Sequence, residues 1–280
     1  VIYSGVCGSQ FMEFKGLRGK DRYLPHLFGH EAVGKVLKIG SGVKGIKKND
    51  RVILSWLKKH NNIREENGQI PYKKIHINYG PITTFSTITT VDSNRVYKLP
   101  KFIPLKDAVL FGCSIPTGIG VVINQAKPTK NSICVVYGIG AVGIFIMLAL
   151  KALGVKKIIG IENNLKRIKF LNNLGFKNIL NPENKNFHKK LSFELNNIRA
   201  DYCFECTGIA RNISNSMKLI SNKGKLYFVS HPKFNENIKL KPYDLILGKK
   251  IYGSWGGSSN LQNDIKRFYQ IIIKSKIKLS

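Results

Sequence analysis

The chain has 280 residues and a formal net charge of +30 at pH 7, from 46 Lys and Arg against 16 Asp and Glu. Hydrophobic residues make up 43% of it, a composition typical of a folded globular protein, which excludes intrinsic disorder. Its five cysteines lack the spacing of a disulfide framework, which argues against a secreted scaffold and predicts a reducing, cytoplasmic compartment.

The high positive charge has two explanations. One is a polyanionic partner, such as a nucleic acid or a membrane surface. The other is a genome rich in A/T codons, because Lys is spread along the whole chain together with an excess of Ile and Asn. No sequence motif for reading DNA or RNA is present, so we favour the second explanation and expect neither a nucleic-acid nor a membrane partner.

Residues 1 to about 98 predict an all-β unit. Short alternating apolar runs between Gly turns support this prediction, for example at 51–55 and 84–91. Gly29-His30-Glu31 begins another alternating segment, which runs past Ile46 and predicts a strand, a turn and a strand with His30 and Glu31 at the start. The polar stretch 58–79 is weakly patterned and predicts a loop or lobe.

Prolines at positions 100, 104 and 116 mark a transition in which we predict short helices. From about Asn131 the pattern alternates between strands and helices, which predicts a parallel, doubly wound sheet. The strand candidates are 132–137, 157–161, 176–180, 202–206, 225–229 and 250–253. The helix candidates are 141–153, 165–174, 187–197 and 210–220.

The stretch 131–150 has no charged side chain and about the length that a bilayer requires. Glycines at 138, 140 and 143 interrupt it, and a β-like run precedes a helical one. We therefore predict a buried strand followed by a buried helix, and no membrane span.

Three residues far apart in the sequence offer ligands for a metal ion. Cys7, His30 and Cys113 together form a possible Cys2His zinc site whose fourth position would stay open for a substrate, as in catalytic sites. The pair His30-Glu31 alone is a weak signal, and its alternative is a histidine with a purely structural role. The two cysteines strengthen the metal hypothesis.

A second motif predicts a dinucleotide site. Gly138-Ile139-Gly140-Ala141-Val142-Gly143 follows an apolar strand and opens a helix, the context that makes a G-x-G-x-x-G match specific for pyrophosphate binding. Glu162 ends the next strand, where an acidic side chain accepts hydrogen bonds from the ribose hydroxyls and favours NAD over NADP. Arg167 either reaches the ribose or phosphate or belongs to a solvated helix face.

These motifs together resemble the zinc-dependent alcohol dehydrogenases of the medium-chain dehydrogenase/reductase superfamily, over essentially the whole chain. The similar segments begin at Gly5, Gly29, Leu110, Tyr137, Ile161 and Phe204. The resemblance implies an α/β fold with a β-rich GroES-like catalytic domain (1–113), a Rossmann NAD-binding domain (114–255) and the start of a return to the catalytic domain (256–280). It also implies that both ends of this chain are truncated relative to the family.

The resemblance implies roles for individual residues. Cys7, His30 and Cys113 would hold one catalytic zinc, which acts as a Lewis acid on the alcohol oxygen. Ser9 would relay the alcohol proton, with a plain turn serine as the alternative. Glu31 is expected behind the metal. Thr117 and Thr207 would contact the nicotinamide and adenosine sides of NAD, respectively.

Three departures from the family pattern affect these expectations. Gln10 stands where the family often has an Asp that orients the ligand histidine, and an amide can hold the imidazole without supplying charge. Met12 replaces a histidine that some members use as a proton relay. The stretch 58–79 contains no Cys, so the structural zinc of many members is not expected.

We therefore predict a zinc-dependent enzyme that transfers a hydride reversibly between a small alcohol and NAD, and that is a homo-oligomer when full length. One alternative is a zinc-free member of the same fold, of the quinone-reductase type. Another is a basic binding protein without catalysis. The remaining cysteines are expected to be structural, with Cys134 as a small buried hydrophobe and Cys203 and Cys206 on opposite faces of a strand.

Overall fold

A computed structural model describes residues 1–65 and 67–277 of the chain. These residues form two compact units. The first comprises Val1–Pro116 and Ser259–Tyr269, and the second comprises Thr117–Ser258 with the described residues from Gln270 onward. The domain limits expected from the sequence, 1–113, 114–255 and 256–280, stay predictions, and residues 278–280 lie outside the described chain.

The first unit contains a four-stranded antiparallel sheet in the order β1-β2-β3-β6 and a separate hairpin, β4-β5. Ala32 and Leu54 are opposite each other across β2 and β3, and both pack with Val52 and Val96 in a small apolar core. The strands are β1 (Tyr3–Ser4), β2 (Glu31–Lys35), β3 (Arg51–Ser55), β4 (Gly68–Tyr72), β5 (Ile75–Tyr79) and β6 (Val96–Lys98). The helical elements are α1 (Gly8–Phe14), α2 (Leu105–Ala108) and the 3-10 turns Ser93–Arg95 and Val109–Gly112.

The β-rich character of this unit is confirmed, and the strand, turn and strand predicted from Gly29 onward are present as β2, a loop and β3. The loop contains Gly42 and Gly45, which adopt positive φ angles of 82° and 78°. Two other local predictions are wrong. Residues 84–91 do not form a strand, and the Thr89 hydroxyl donates to the backbone carbonyl of Thr83, a local bond that competes with sheet formation. The stretch 58–79 contains the β4-β5 hairpin, whose turn includes Lys73 at φ 54°.

The second unit contains a six-stranded parallel sheet in the order β12-β11-β10-β7-β8-β9, which confirms the predicted doubly wound architecture. Its strands are β7 (Ile133–Tyr137), β8 (Lys157–Ile161), β9 (Ile179–Leu180), β10 (Ala200–Glu205), β11 (Ile220–Phe228) and β12 (Lys250–Gly253). The helices are α3 (Ser114–Gly120) with a π-helical continuation (Val121–Ala126), α4 (Ala141–Ala152), α5 (Leu165–Asn173), α6 (Phe187–Glu194), α7 (Ala210–Ser216) and α8 (Pro242–Ile246). The helix α9 (Leu261–Lys274) begins in the first unit and ends in the second. The remaining 3-10 turn is Gly256–Ser258.

Two helices of this unit end earlier than predicted. Asn196 and Asn197 have positive φ angles of 54° and 58°, so the backbone leaves the helical conformation after α6. The helix α7 stops at Ser216 because Ile220 already begins the nine-residue strand β11, which pairs with Ala200. The short helices predicted around the three prolines are present as α2, the 3-10 turn before Cys113, and α3.

The uncharged stretch 131–150 is, as predicted, a strand followed by a helix. It forms β7 in the middle of the sheet and most of α4, eight of whose side chains or glycines are buried. Within the described residues no single helix is long and apolar enough to cross a membrane. One bent pair, Leu105–Gly112 with Ser114–Ala126, meets that criterion by length and composition alone.

Candidate functional site

The first unit brings the predicted metal ligands together. Cys7 is the residue before α1, His30 and Glu31 are at the start of β2, and Cys113 follows the 3-10 turn Val109–Gly112. One ligand atom from each of these four side chains lies within 4.8 Å of those of the other three. The Cys7 and Cys113 sulfur atoms are 3.9 Å apart.

Close backbone approach makes this cluster possible. A Cβ atom on Gly112 would lie 2.6 Å from the Cβ of Glu31 and 2.7 Å from the carbonyl oxygen of Leu54, so only glycine fits beside β2 and β3. The Ser55 hydroxyl donates to the Gly112 carbonyl at 2.7 Å and fixes the turn that carries Cys113. The backbone N–H of Gly5 donates to the Glu31 carbonyl at 3.1 Å, which places the following Cys7 beside β2.

The two thiols form an asymmetric acid pair. The Cys113 thiol donates a hydrogen bond to the Cys7 sulfur, and this bond is the main reason that the pKa of Cys7 is lowered to about 3. Burial of Cys7 acts in the opposite direction, whereas hydrogen bonds with His30 and Ser9 lower the pKa further. The same contact, together with burial, raises the pKa of Cys113. The Ser9 hydroxyl also donates to the Cys7 sulfur at 3.3 Å. Cys7 is therefore the thiol that ionises first, and ionisation of Cys113 requires a neighbouring positive charge.

Two polar atoms of the cluster have no hydrogen-bond partner among the described residues, His30 Nε2 and Glu31 Oε2, although both are buried. Buried polar atoms are nearly always satisfied, so these two mark a place where a partner belongs. Burial, followed by the nearby Cys7 charge, raises the pKa of Glu31 to about 8. Two sulfurs and an imidazole nitrogen are the donor set of a catalytic zinc site, and the residues present fit that ion.

Gln10 supports the ligand histidine in a way that the sequence did not indicate. Its side-chain oxygen accepts from the backbone N–H of Gly29, and its amide nitrogen donates to Glu13 at 2.7 Å. The amide therefore holds the backbone next to His30 and not the imidazole. Glu13 also lies near His26, whose ring is 2.7 Å from the Asp21 carboxylate.

In the second unit, the predicted cofactor residues lie at the carboxyl ends of the three adjacent strands β10, β7 and β8, where the strand order reverses. Gly138 has φ 83°, and a Cβ there would lie 2.5 Å from the Thr207 methyl group. A Cβ on Gly143 would lie 2.3 Å from the Gly138 carbonyl oxygen. A Cβ on Gly140 would meet nothing within 4 Å, so this glycine leaves open space in front of the motif.

The helix α4 starts at this open space. Its N-cap residue, Gly140, has no side chain to accept from the first N–H groups, and its first turn contains no acidic residue. The N–H groups of Ala141 and Val142 thus start a helix whose positive end has no side-chain cap. This is the arrangement that binds a pyrophosphate.

Glu162 is fully engaged by this chain alone. Its Oε2 accepts from the Ile139 N–H and the Arg167 guanidinium, both at 2.9 Å, and its Oε1 accepts from the N–H groups of Asn163 and Asn164 at 3.0 and 2.9 Å. Burial opposes ionisation, but the hydrogen bonds from Asn164, Arg167 and Ile139 outweigh it and lower the pKa of Glu162. Arg167 is therefore an ion-pair partner of Glu162 and not simply part of a solvated helix face.

Sequence reasoning missed Glu205, the last residue of β10. Its carboxylate accepts from the backbone N–H of Thr207 at 2.8 Å and from the Thr207 hydroxyl, while burial raises its pKa. Its Oε2 is buried and has no hydrogen-bond partner among the described residues. The sequence feature that could have identified Glu205 is a carboxyl group in an otherwise apolar parallel strand, where charged residues are unusual. Thr117, the predicted nicotinamide contact, is buried in α3.

The structural interpretation of Cys134 and Cys203 agrees with their burial, but the prediction that Cys206 lies on a strand is wrong, because β10 ends at Glu205. Cys134 and Cys203 are fully buried, and burial raises the pKa of both thiols, for Cys203 to about 12. All five cysteines, including Cys206, are unlinked.

This combination of a β-rich unit with a partly buried Cys-Cys-His cluster and a Rossmann-ordered unit with a glycine-rich turn defines a two-unit dehydrogenase. An alcohol dehydrogenase GroES-like domain matches residues 1–101, and a zinc-binding dehydrogenase domain matches residues 141–274. The chain belongs to the zinc-type alcohol dehydrogenases of the medium-chain dehydrogenase/reductase superfamily and is an oxidoreductase that acts on alcohols.

Relatives agree with this assignment. Alcohol dehydrogenase-like 3 of Arabidopsis thaliana is 27% identical, over 100% of this chain and 80% of the relative. Alcohol dehydrogenase class-3 of Drosophila melanogaster is 26% identical, over 99% of this chain and 80% of the relative.

Solved structures share the fold. Benzyl alcohol dehydrogenase from Acinetobacter calcoaceticus superimposes with a TM-score of 0.79 at 22% identity, covering 98% of this chain and 82% of that one. An alcohol dehydrogenase from Thermus sp. ATN1 gives a TM-score of 0.76 at 20% identity, with the same coverage.

Proposed function

We propose that this chain is a zinc-dependent, NAD-linked alcohol dehydrogenase that uses one catalytic zinc and no structural zinc. It would transfer a hydride reversibly between the CH–OH group of a small alcohol and NAD, forming the aldehyde or ketone. The observation that carries the proposal is the partly buried cluster of Cys7, His30 and Cys113, in which the buried His30 Nε2 has no hydrogen-bond partner among the described residues.

The roles of the cluster residues follow from their contacts. Cys7, His30 and Cys113 would hold the zinc, which as a Lewis acid would lower the pKa of an alcohol oxygen in the open position. Ser9, which now donates to Cys7, would turn its hydroxyl to accept the alcohol proton. Glu31 keeps a buried carboxyl group beside the ligands, and the positive charge of a bound zinc would favour its ionised form.

The glycine-rich turn would hold the cofactor. Gly138 to Gly143, including Ile139, Ala141 and Val142, would receive the pyrophosphate at the start of α4, and Thr117 and Thr207 would line the same cofactor. Glu162 would accept from the ribose hydroxyls. Because Glu162 already accepts four hydrogen bonds, Arg167 must release it, and its guanidinium then becomes available to the ribose or phosphate.

Metal analysis and an activity screen test the proposal together. We expect one zinc per chain in the purified protein and NAD reduction with primary, secondary or sugar alcohols. Turnover should disappear after treatment with a chelator and return with added zinc. Absence of stoichiometric zinc would contradict the proposal and support the zinc-free reductase. Retention on DNA without turnover of any alcohol would instead support the basic binding protein.

We also propose that the protein is a cytoplasmic homo-oligomer with domain limits near 113 and 255. Light scattering and limited proteolysis of the protein test the assembly and the limits separately.

A further inference from the structure

A concavity of about 720 Å³ in the second unit collects basic side chains. It lies between α7 and the segment that leads to β12. Ser214, Asn215, Met217 and Leu240 are half-buried or buried parts of its lining. Its charged lining consists of one carboxylate, Asp244, and six cations: Arg199, Arg211, Lys218, Lys239, Lys241 and Lys249.

The single carboxylate does not balance these charges. Lys249 pairs with Asp244 at 3.0 Å and donates to the Met217 carbonyl at the same distance. Lys218 donates to the neutral side chain of Asn215 at 3.2 Å. The other four cations form no ion pair with any carboxylate of the described residues, namely Arg199, Arg211, Lys239 and Lys241.

We propose that this concavity binds a small anion that carries a chain of three or more phosphate groups. Unpaired like charges around one concavity repel each other, and a multiply charged anion converts this repulsion into attraction. The planar guanidinium groups of Arg199 and Arg211 match phosphate oxygens in a bidentate manner. Ser214, Asn215 and Asn237 add neutral polar groups to the lining.

The lining also favours a phosphate chain over a nucleic acid. No aromatic residue lines the concavity, so it offers no platform on which a base could stack. Its volume is that of a small-molecule pocket, whereas nucleic-acid strands follow extended basic grooves. The excess charge is also local, because six of twelve lining residues are Lys or Arg, against 46 in the 280 residues of the chain.

Most of the concavity lies away from the cofactor turn, and only Arg211, at the start of α7, is near enough for its charge to act on Tyr137, the residue before Gly138. Arg199 directly precedes β10 and Lys249 directly precedes β12, so both lie at amino ends of parallel strands. The glycine-rich turn, Glu162 and Thr207 lie beyond the carboxyl ends. A six-residue strand is about 20 Å long, which separates the two edges of the sheet. The proposal therefore does not depend on NAD binding.

Calorimetry with inorganic tripolyphosphate tests the proposal on the whole chain, with and without saturating NADH. We expect one saturable site that NADH leaves in place. The double variant Arg199→Gln/Lys241→Gln should weaken binding at least about tenfold, because it removes two charge-assisted contacts. Its matched control is Lys189→Gln/Lys190→Gln, which removes the same charge from exposed positions of α6 and should change the affinity less than about twofold.

Four results would overturn the proposal. The first two are equal weakening of tripolyphosphate binding by both double variants, and loss of tripolyphosphate binding in saturating NADH. The third is the absence of saturable tripolyphosphate binding up to about 1 mM. The fourth is tighter binding of single-stranded DNA that the same double variant weakens. If Arg199→Gln/Lys241→Gln lowers the thermal unfolding midpoint, Lys239→Gln/Lys241→Gln replaces it with the same expected weakening.

Discussion

The metal cluster of the first unit and the cofactor turn of the second unit differ in how their polar atoms are satisfied. In the cluster, His30 Nε2 and Glu31 Oε2 are buried without hydrogen-bond partners among the described residues. In the cofactor turn, the Glu162 carboxylate already accepts four hydrogen bonds. The cluster therefore needs a ligand to complete its bonding, whereas Glu162 is already saturated by this chain, and a ribose would have to displace Arg167 from it.

The largest expected effect comes from breaking the cluster. His30→Ala removes the only nitrogen ligand, so we expect loss of stoichiometric zinc and a fall in kcat of at least about a thousandfold, since the open-site chemistry needs the metal. Metal analysis and steady-state kinetics measure both. The matched control, His188→Ala on α6, should keep zinc and activity. Retention of one zinc per chain by His30→Ala would refute the ligand assignment.

Two glycine variants separate space needed by the fold from space needed by a ligand. Gly143→Ala puts a Cβ against the Gly138 carbonyl, so both the unfolding midpoint and NADH affinity should fall. Gly140→Ala meets nothing within 4 Å in the chain itself, so the midpoint should stay while the NADH Kd rises about tenfold or more. Differential scanning fluorimetry and NADH fluorescence titration compare them. Unchanged NADH affinity in Gly140→Ala would contradict pyrophosphate binding there.

Removal of the Gln10 side chain should loosen the cluster without removing a ligand. Gln10→Ala leaves the Gly29 N–H and Glu13 without their amide partner, and we expect about tenfold weaker zinc binding, typical for losing a supporting hydrogen bond. Competition with a chromophoric chelator measures the affinity. Gln69→Ala, which removes an exposed amide from the β4-β5 hairpin, serves as the control. Equal zinc affinity in Gln10→Ala and the control would show that Gly29 needs no such support.

The smallest expected effect concerns Glu162. Glu162→Gln turns an amide group toward N–H donors, and we expect a loss of about 1–3 kcal/mol in the free energy of unfolding at pH 7. The pKa of Glu162 is held below its ordinary value of 4.5, so its stabilisation is complete above that pH and disappears as the pH falls through the lowered pKa. Urea unfolding from pH 7 to pH 3 should therefore bring variant and wild type together at low pH. Glu183→Gln, at an exposed turn, is the control, and a constant difference at all pH values would contradict this assignment.

Local patterns were sufficient for much of the second unit. Two kinds of pattern in neighbouring residues predicted the sheet and the turn. Continuous apolar runs and amphipathic segments indicated the strands and helices, and the spacing of Gly138, Gly140 and Gly143 indicated the turn. In the first unit the same rules failed at 84–91, where Thr hydroxyls bond the backbone, and at the β4-β5 hairpin, whose Lys73-Lys74 turn lacks an Asn-Gly signal.

The sequence by itself determined the fold class, the family and the residues able to bind a metal or a dinucleotide, because these depend on residue type, period and spacing. Only the tertiary structure decided that Cys7, His30 and Cys113 meet, that Gln10 holds the Gly29 backbone, and that Arg167 occupies Glu162. It also gathered the cations from Arg199 to Lys249 around one concavity. Apart from the Arg167–Glu162 pair, which is five residues apart, these contacts join residues distant in the chain, and their geometry depends on how strands and helices pack.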